Sequence, residues 1–321
     1  LIGGLLIIRK IQRFNMIISF LTTFLLAILA FSFFNKSDLL QTIYGITLDS
    51  PILFFSFVML VEPLTTPTTK NLQIIYGVVL GILFYPQIHI GSYYLTPEAA
   101  LLIGNIFSYI VSPKYKFMLS LKEKVKIAPD IYEFIFNLDK KINFSPGQYL
   151  EWTLGFKNPD ARGNRRYFTI ASSPTEEKLR IGVKFYNDSS SFKKEFLFLQ
   201  KQDKVLAGNL SGDFTMPKDI TKKLVFIAGG IGITPFRSMI KYLLDKNEKR
   251  DIVLFYSNKV EEDIAYKEIF DQGFKKLAIQ TIYNLTDTEN IPKNWHGEVG
   301  RLSDQIIKKY APDFKKRIFY I

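Results

Sequence analysis

A glycine-rich turn, Gly229-Gly230-Ile231-Gly232-Ile233-Thr234-Pro235, separates an apolar run at 224–228 from a helical pattern at 236–244. Residues without side chains let the backbone approach a phosphate, and a helix starting there offers unpaired N–H groups and the positive end of its dipole. Pro235 at the first helical position gives up a donor the helix has no use for. The same turn also serves as a plain strand-to-helix connection, and the G-x-G-x-x-G spacing of an ordinary dinucleotide fold is absent. Composition closes off other chemistries. With no cysteine there is no disulfide and no cysteine-held zinc or iron-sulfur cluster in this stretch. His89 and His296 are too few and too distant for a haem or metal site, so no metal ligands are assigned.

The turn must be carried by alternating elements. Strand patterns at 224–228, 252–256, 278–283 and 318–321 alternate with helical patterns at 236–244, 261–270 and 302–310, which predicts a parallel sheet with helices on both faces. Upstream, short alternating segments at 118–125, 131–136, 149–154, 167–171, 179–185 and 205–210 predict a small antiparallel β-barrel.

The first third differs in kind. The 321 residues include 42 basic and 30 acidic side chains, a net charge of +12, with 47% hydrophobic residues, which excludes disorder. Residues 1–110 hold only Arg9, Lys10, Arg13, Lys36, Lys70, Asp38, Asp49, Glu62 and Glu98 as charges. Such asymmetry predicts a membrane part joined to a soluble part. The soluble charge suits an anionic membrane or a phosphorylated cofactor better than nucleic acid.

Residues 16–34 carry no charge and are long enough to cross a hydrocarbon core of roughly 30 Å. Residues 1–8 read as the tail of a preceding span, and 51–61, 72–85 and 95–111 as three further spans. Alternating crossings put Arg9, Lys10, Arg13, Lys70, Lys114 and Lys116 on the cytoplasmic side and only Lys36 outside. The expected architecture is therefore multi-domain. An α-helical transmembrane bundle at 1–113 precedes an antiparallel β-barrel at 114–217 and a parallel α/β domain at 218–321. A multi-pass protein of the cell inner membrane with cytoplasmic soluble domains is expected, cut at both ends, since Leu1 opens in mid-hydrophobic run and Ile321 ends inside a strand pattern. The threonines 65, 66, 68 and 69 around Pro67 read first as helix caps, second as a flavin or ion contact.

Two resemblances follow. The stretches L-I-G-G-L-L-I-I-R-K-I, F-V-M-L-V-E-P-L-T-T-P-T-T-K and G-S-Y-Y-L-T-P-E-A-A-L-L-I-G-N-I-F resemble the second half of a membrane flavoprotein family. That family comprises subunits of the Rnf complex and the sodium-translocating NADH:quinone reductase, and it usually has Asp-Pro where this chain has Glu62-Pro63. It implies FMN attached to a threonine upstream of Leu1, a role no residue here inherits. Further on, Arg166-Tyr167-Phe168-Thr169 followed by G-G-I-G-I-T-P resembles the ferredoxin-NADP reductase family over about 115–321.

That second resemblance implies FAD on the barrel and NADH or NADPH on the α/β domain. Its R-x-Y-S/T motif maps to Arg166, Phe168 and Thr169, with Phe168 in place of tyrosine; the slipped register Arg165-x-Tyr167-Phe168 loses the hydroxyl. Arg166 would fork onto a flavin phosphate, Phe168 lie against the isoalloxazine and Thr169 reach the ring edge, the last two being the expected catalytic residues. The cofactor set adds Tyr167, Ser191 at the opening of a helix, Gly229, Gly230, Gly232, Thr234 and Pro235, and Ser257 near the adenosine ribose. Asn187 and Asp188 stand where the family often has glycines. Lys259 favours a 2′-phosphate there, and Glu261 and Glu262 oppose it.

The implied function is a membrane-bound NAD(P)H-dependent FAD oxidoreductase delivering electrons to a membrane flavin, a quinone or a partner such as an iron-sulfur protein. Two rivals stand beside it. One is a ferric reductase or NADPH oxidase type with haem, which His89 alone in residues 1–113 does not support. The other is a transporter whose soluble domain senses nucleotides.

Overall fold

A computed structural model describes residues 2–11, 13–36, 38–49, 51–62, 65–112 and 115–321. The chain divides into two compact units, Leu1–Lys114 and Tyr115–Ile321. Pro63 of the Glu62-Pro63 pair, and Lys114 of the charge tally, lie outside the described residues.

The first unit contains helices α1 (Ile2–Ile11), α2 (Phe14–Asn35), α3 (Leu39–Asp49), α4 (Ile52–Phe54, running into a π-helical turn at Phe55–Met59), α5 (Lys70–Leu83) and α6 (Pro97–Val111), with a small hairpin of β1 (His89–Ile90) and β2 (Tyr93–Tyr94). Two glycines set the α2–α5 crossing. A Cβ on Gly77 would come 2.5 Å from the Met16 carbonyl oxygen and one on Gly81 2.6 Å from that of Phe20, so the backbones touch and the two helices run parallel. α6 returns antiparallel: Tyr76 bonds Asn105 at 3.0 Å, and Thr68, at the start of α5, meets Ser112, at the end of α6, at 2.8 Å. Gly81→Val is expected to destabilise this unit by roughly 1–3 kcal/mol or more through overpacking. Thermal unfolding of the full chain measures it.

The expected bundle of four full spans is corrected by helix length. Among the described residues only α2 is long and apolar enough to cross a membrane; α5 and α6 have 14 and 15 residues, about 21 and 22 Å at roughly 1.5 Å per residue. Local chemistry stops them. α5 ends just before Pro86, and α6 starts only at Thr96, whose side chain accepts from the Ala99 N–H at 3.3 Å. The span expected at 51–61 is α4 and its π turn, and α3 occupies a stretch given no element.

The second unit opens with a six-stranded antiparallel sheet of β3 (Lys116–Ala128), β4 (Ile131–Leu138), β5 (Tyr149–Thr153), β6 (Arg165–Thr169), β7 (Leu179–Lys184) and β8 (Lys204–Ser211), in the order β6-β5-β8-β3-β4-β7. All six anticipated strands are present. The Ala171 N–H donates to the Arg180 carbonyl at 2.7 Å, drawing the two edges together. Helix α7 (Ser191–Phe198) follows β7 and contributes Phe192 and Phe196 to an aromatic core with Phe134, Phe136 and Trp152.

Five parallel strands complete the unit: β9 (Leu224–Gly229), β10 (Ile252–Asn258), β11 (Gln280–Leu285), β12 (Glu298–Val299) and β13 (Ile318–Tyr320), in the order β12-β11-β10-β9-β13. Helices α8 (Thr234–Lys246), α9 (Lys267–Leu277) and α10 (Asp304–Tyr310) connect them. Side chains alternate along β9, Leu224, Phe226 and Ala228 joining one core and Val225 the other, which is why the strand reads as continuously apolar. The helix expected at 261–270 starts only at Lys267. Residues Glu261–Asp263 form a 3-10 turn, and Tyr266 sits at φ +60°. β12 was not anticipated, being two residues long.

Candidate functional site

β6 is an edge strand, so its two faces are set by alternation and by what covers each. Arg166 and Phe168 share one face. Phe168 is half-buried with its ring 6.1 Å from Phe192 and 5.7 Å from Phe196. Arg165 and Tyr167 share the other face with Glu151, whose carboxylate accepts from the Tyr167 hydroxyl at 2.7 Å and pairs with Arg165 at 3.3 Å. Tyr167 is 58% exposed, and Tyr149 meets it edge-on at 5.5 Å. Thr169, two residues on, lies on the Tyr167 face, so the aromatic open to a ligand is Tyr167, while Phe168 is packed under α7. Burial and the Glu151 carboxylate push the Tyr167 hydroxyl up to about 12, keeping it a neutral donor.

Arg166 turns along the strand toward α7. Its guanidinium donates to the carbonyls of Arg162, Gly163 and Arg165, pairs with Asp160 at 2.8 and 3.0 Å, and stands 5.3 Å over the Phe192 ring. Ser190, not Ser191, caps α7, accepting from the Lys193 N–H at 3.3 Å. Ser191 instead accepts from the Asp160 N–H at 2.9 Å, so Asp160 joins Arg166 to the start of α7. Asp188 is exposed.

Sequence reasoning passed over three cations here: Arg162, Lys184 and Lys193. Lys193 donates to the Lys184 carbonyl at 2.7 Å, and both ammonium groups lie over Tyr186, at 5.5 and 5.7 Å. A signal existed, because Lys193 and Lys194 stand in the first turn of α7, where the helix dipole opposes positive charge unless an anion is near. Burial, then the Arg162 charge, lowers the Lys193 ammonium below the ordinary 10.5. The unfolded chain therefore holds that proton more tightly, and the cost of the charge in the fold is relieved as pH rises through the folded value. A bound diphosphate reverses the preference. ADP affinity is expected to fall as pH rises through that value, and Lys193→Met should flatten the profile in a fluorescence titration from neutral to alkaline pH.

The glycine turn follows β9. Gly230 takes φ +50°, and Gly230–Ile233 form a 3-10 turn into α8, with Pro235 at its second rather than its first position. A Cβ at Gly229, Gly230 or Gly232 meets nothing within 4 Å, so the cradle is open. The Thr234 hydroxyl turns back to the Ile231 carbonyl at 3.3 Å. Gly229 pairs with Ser257, and Ser257 with Asn284, so the ends of three strands make one row. Ser257 accepts from Asn284 Nδ2 at 3.4 Å, and Asn284 Oδ1 is buried without a hydrogen-bond partner. Nearby, Glu261 pairs with Lys267 at 3.5 Å.

α8 ties this turn to the barrel. Arg237 Nη1 donates to the Ala171 carbonyl at 3.0 Å and Ser238 Oγ to the Ser172 carbonyl at 2.6 Å, two and three residues beyond Thr169. On β7, a Cβ at Gly182 would come 2.7 Å from the Tyr266 hydroxyl and 2.9 Å from Thr234 Cγ2, so barrel and α/β domain are in direct contact.

Residues 226–321 match the oxidoreductase NAD-binding domain family. A flavohemoprotein of Bacillus subtilis is 28% identical over 169 residues, which is 52% of this chain and 41% of that protein. An NADH-cytochrome b5 reductase 1 of Mortierella alpina is 27% identical over 206 residues, 63% of this chain and 67% of that one. The chain thus spans less than half of the first relative. Among solved structures, a cytochrome P450 reductase from Amycolatopsis aligns with a TM-score of 0.56 at 21% identity over 64% of this chain and 61% of its own. A Plasmodium falciparum ferredoxin-NADP+ reductase aligns at 0.52 and 20%, over 64% and 86%. With its barrel and its parallel sheet, the Tyr115–Ile321 unit has the fold of the ferredoxin-NADP+ reductases, and its residues 226–321 are similar to the oxidoreductase NAD-binding domain family.

Proposed function

We propose that this chain oxidises NAD(P)H through a bound FAD and passes electrons to a partner, a quinone or a further flavin, while its first unit sits in a lipid bilayer. The carrying observation is the pair of bonds from Arg237 and Ser238 to the backbone of residues 171 and 172, which ties the segment after Thr169 to the helix that the glycine turn opens.

The residues fit both groups. Arg162, Arg166 and Lys193 gather at the start of α7, and anions are favoured there by charge and by helix dipole. Tyr167 offers an open ring and Thr169 a hydroxyl on the same face. The open cradle at 229–232 and the unmatched Asn284 Oδ1 suit a pyrophosphate and the polar remainder of a nucleotide. FAD supplies hydride acceptance and one-electron release, chemistry that belongs to the cofactor. The chain binds, orients and keeps Tyr167 protonated. Purified protein is expected to show flavin absorbance near about 450 nm that bleaches with NADH. A colourless protein that neither takes up FAD nor consumes NADH would end the reading.

The bilayer reading rests on where apolar surface lies. Among the described residues, 25 large apolar side chains are exposed in the first unit and ten in the larger second one. Arg13 donates to Thr66 and Thr68 meets Ser112, so the basic starts of α2 and α5 share an end with the last turn of α6, while Asn35 meets Gln87 at the other. A cytoplasmic basic end follows from the charge rule. An Rnf or sodium-pump type subunit and an inner-membrane location are the finer form of this proposal. Protease protection of epitopes beside Lys36 and after Lys116 in sealed vesicles tests it.

A further inference from the structure

We propose that Arg237 is a positioning residue for the transfer step, holding the segment after Thr169 in register with the nucleotide turn. This rests on the flavin and nucleotide reading above. Arg237 lies two residues beyond Pro235, is 5% exposed, and comes from the helix that the glycine turn opens. Its guanidinium reaches three places at once. One nitrogen donates to the Ala171 carbonyl at 3.0 Å, both nitrogens fork onto Glu176 with Nη2 3.1 Å from Oε1, and the ring of Tyr266 lies 5.6 Å from its central carbon.

The acid it grips is shared. Glu176 also pairs with Arg180 at 3.2 Å, and Arg180 with the buried Glu133 at 2.6 Å, so two arginines and two glutamates balance across the barrel–α/β contact. Buried ion pairs rarely add stability over apolar packing of equal volume, so their effect is better sought in geometry. Here the geometry concerns Ala171. Its N–H is taken by the Arg180 main-chain carbonyl at 2.7 Å and its C=O by the Arg237 guanidinium, so the strand backbone of one arginine and the side chain of the other hold the same residue. Ser238 holds the next carbonyl at 2.6 Å. Thr169 and Tyr167 stand immediately upstream, on the edge strand, where only β5 supports them. A donor on one sheet and an acceptor on another depend on such tethers, since a displacement of about 1 Å can cost on the order of 100-fold in rate.

The test uses the full chain with Arg237→Lys, which keeps a positive charge for Glu176 but cannot fork and reach the carbonyl together. Ser238→Ala, which deletes only the hydroxyl tether, is the second variant. Expected for Arg237→Lys are wild-type flavin content, a KM for NADH within about 3-fold, and kcat lowered by about 10- to 100-fold. Faster amide exchange confined to residues 169–173 is expected even without flavin. Ser238→Ala should show the same pattern more weakly. An unchanged kcat, or a loss matched by flavin release or by a global fall in melting temperature in both variants, overturns the proposal. A wild-type protein that neither binds flavin nor oxidises NADH overturns the function and this role together, whereas failure of the variants alone overturns only the role.

Discussion

Arg166→Ala is expected to yield protein that folds but holds flavin at least about 100-fold more weakly. The guanidinium is 14% exposed, fastened by three backbone carbonyls and Asp160, and set over Phe192. Charge-assisted hydrogen bonds are worth about 1.5–3 kcal/mol each, so losing one such bond to a phosphate, together with the nearby positive charge, removes about 3 kcal/mol. The deletion also strips Asp160 of its main cation, leaving a carboxylate beside the anion site. Arg166→Lys should recover part of the loss and Asp160→Asn, combined with Arg166→Ala, another part. Bound-flavin stoichiometry and FAD titration by fluorescence quenching measure this, with circular dichroism to confirm the fold. Wild-type affinity in Arg166→Ala would remove the guanidinium from the site.

Gly232→Val is expected to raise the KM for NADH by about 30-fold or more, with little change in thermal stability. Space above Gly232 is empty and its φ is not in the left-handed region, so the protein itself tolerates a side chain there. Only a ligand drawn against the backbone would object. Gly230→Val is the poorer test. At φ +50° a β-branched residue is strained by about 1–2 kcal/mol whether or not a nucleotide binds. Flavin content should stay at the wild-type level in Gly232→Val, which separates the turn from the Arg166 site. An unchanged KM would show that the pyrophosphate lies elsewhere.

The site was partly legible. The glycine turn and Arg166 stand out in the sequence because phosphate recognition, as proposed here, constrains local residue types. Phe168 lies against α7 and Tyr167 on the open face, a distinction not legible in the motif, because a motif names residues without saying which face of an edge strand is covered. The covering residues, Phe192 and Phe196, come from a helix more than twenty positions away. Ser190 rather than Ser191 as the cap of α7 is a one-residue difference that only the backbone angles decide.

Residue order alone determined most element types of the second unit, β12 and the 3-10 turn at Glu261–Asp263 excepted, since period-two alternation and apolar strands followed by helical patterns depend on neighbours a few positions away. It also determined the charge asymmetry between the two parts and the location of the phosphate-ready turn. Tertiary structure decided what distance in the chain conceals. Arg237 meets Ala171 across 66 positions, Lys193 is drawn under Lys184 and beside Arg162, and the parallel packing of α2 on α5 rests on two glycines whose partners lie about sixty residues upstream. Helix lengths in the first unit were decided there too, because hydrophobicity marks a stretch as apolar, whereas proline, capping threonine and close packing fix where a helix stops.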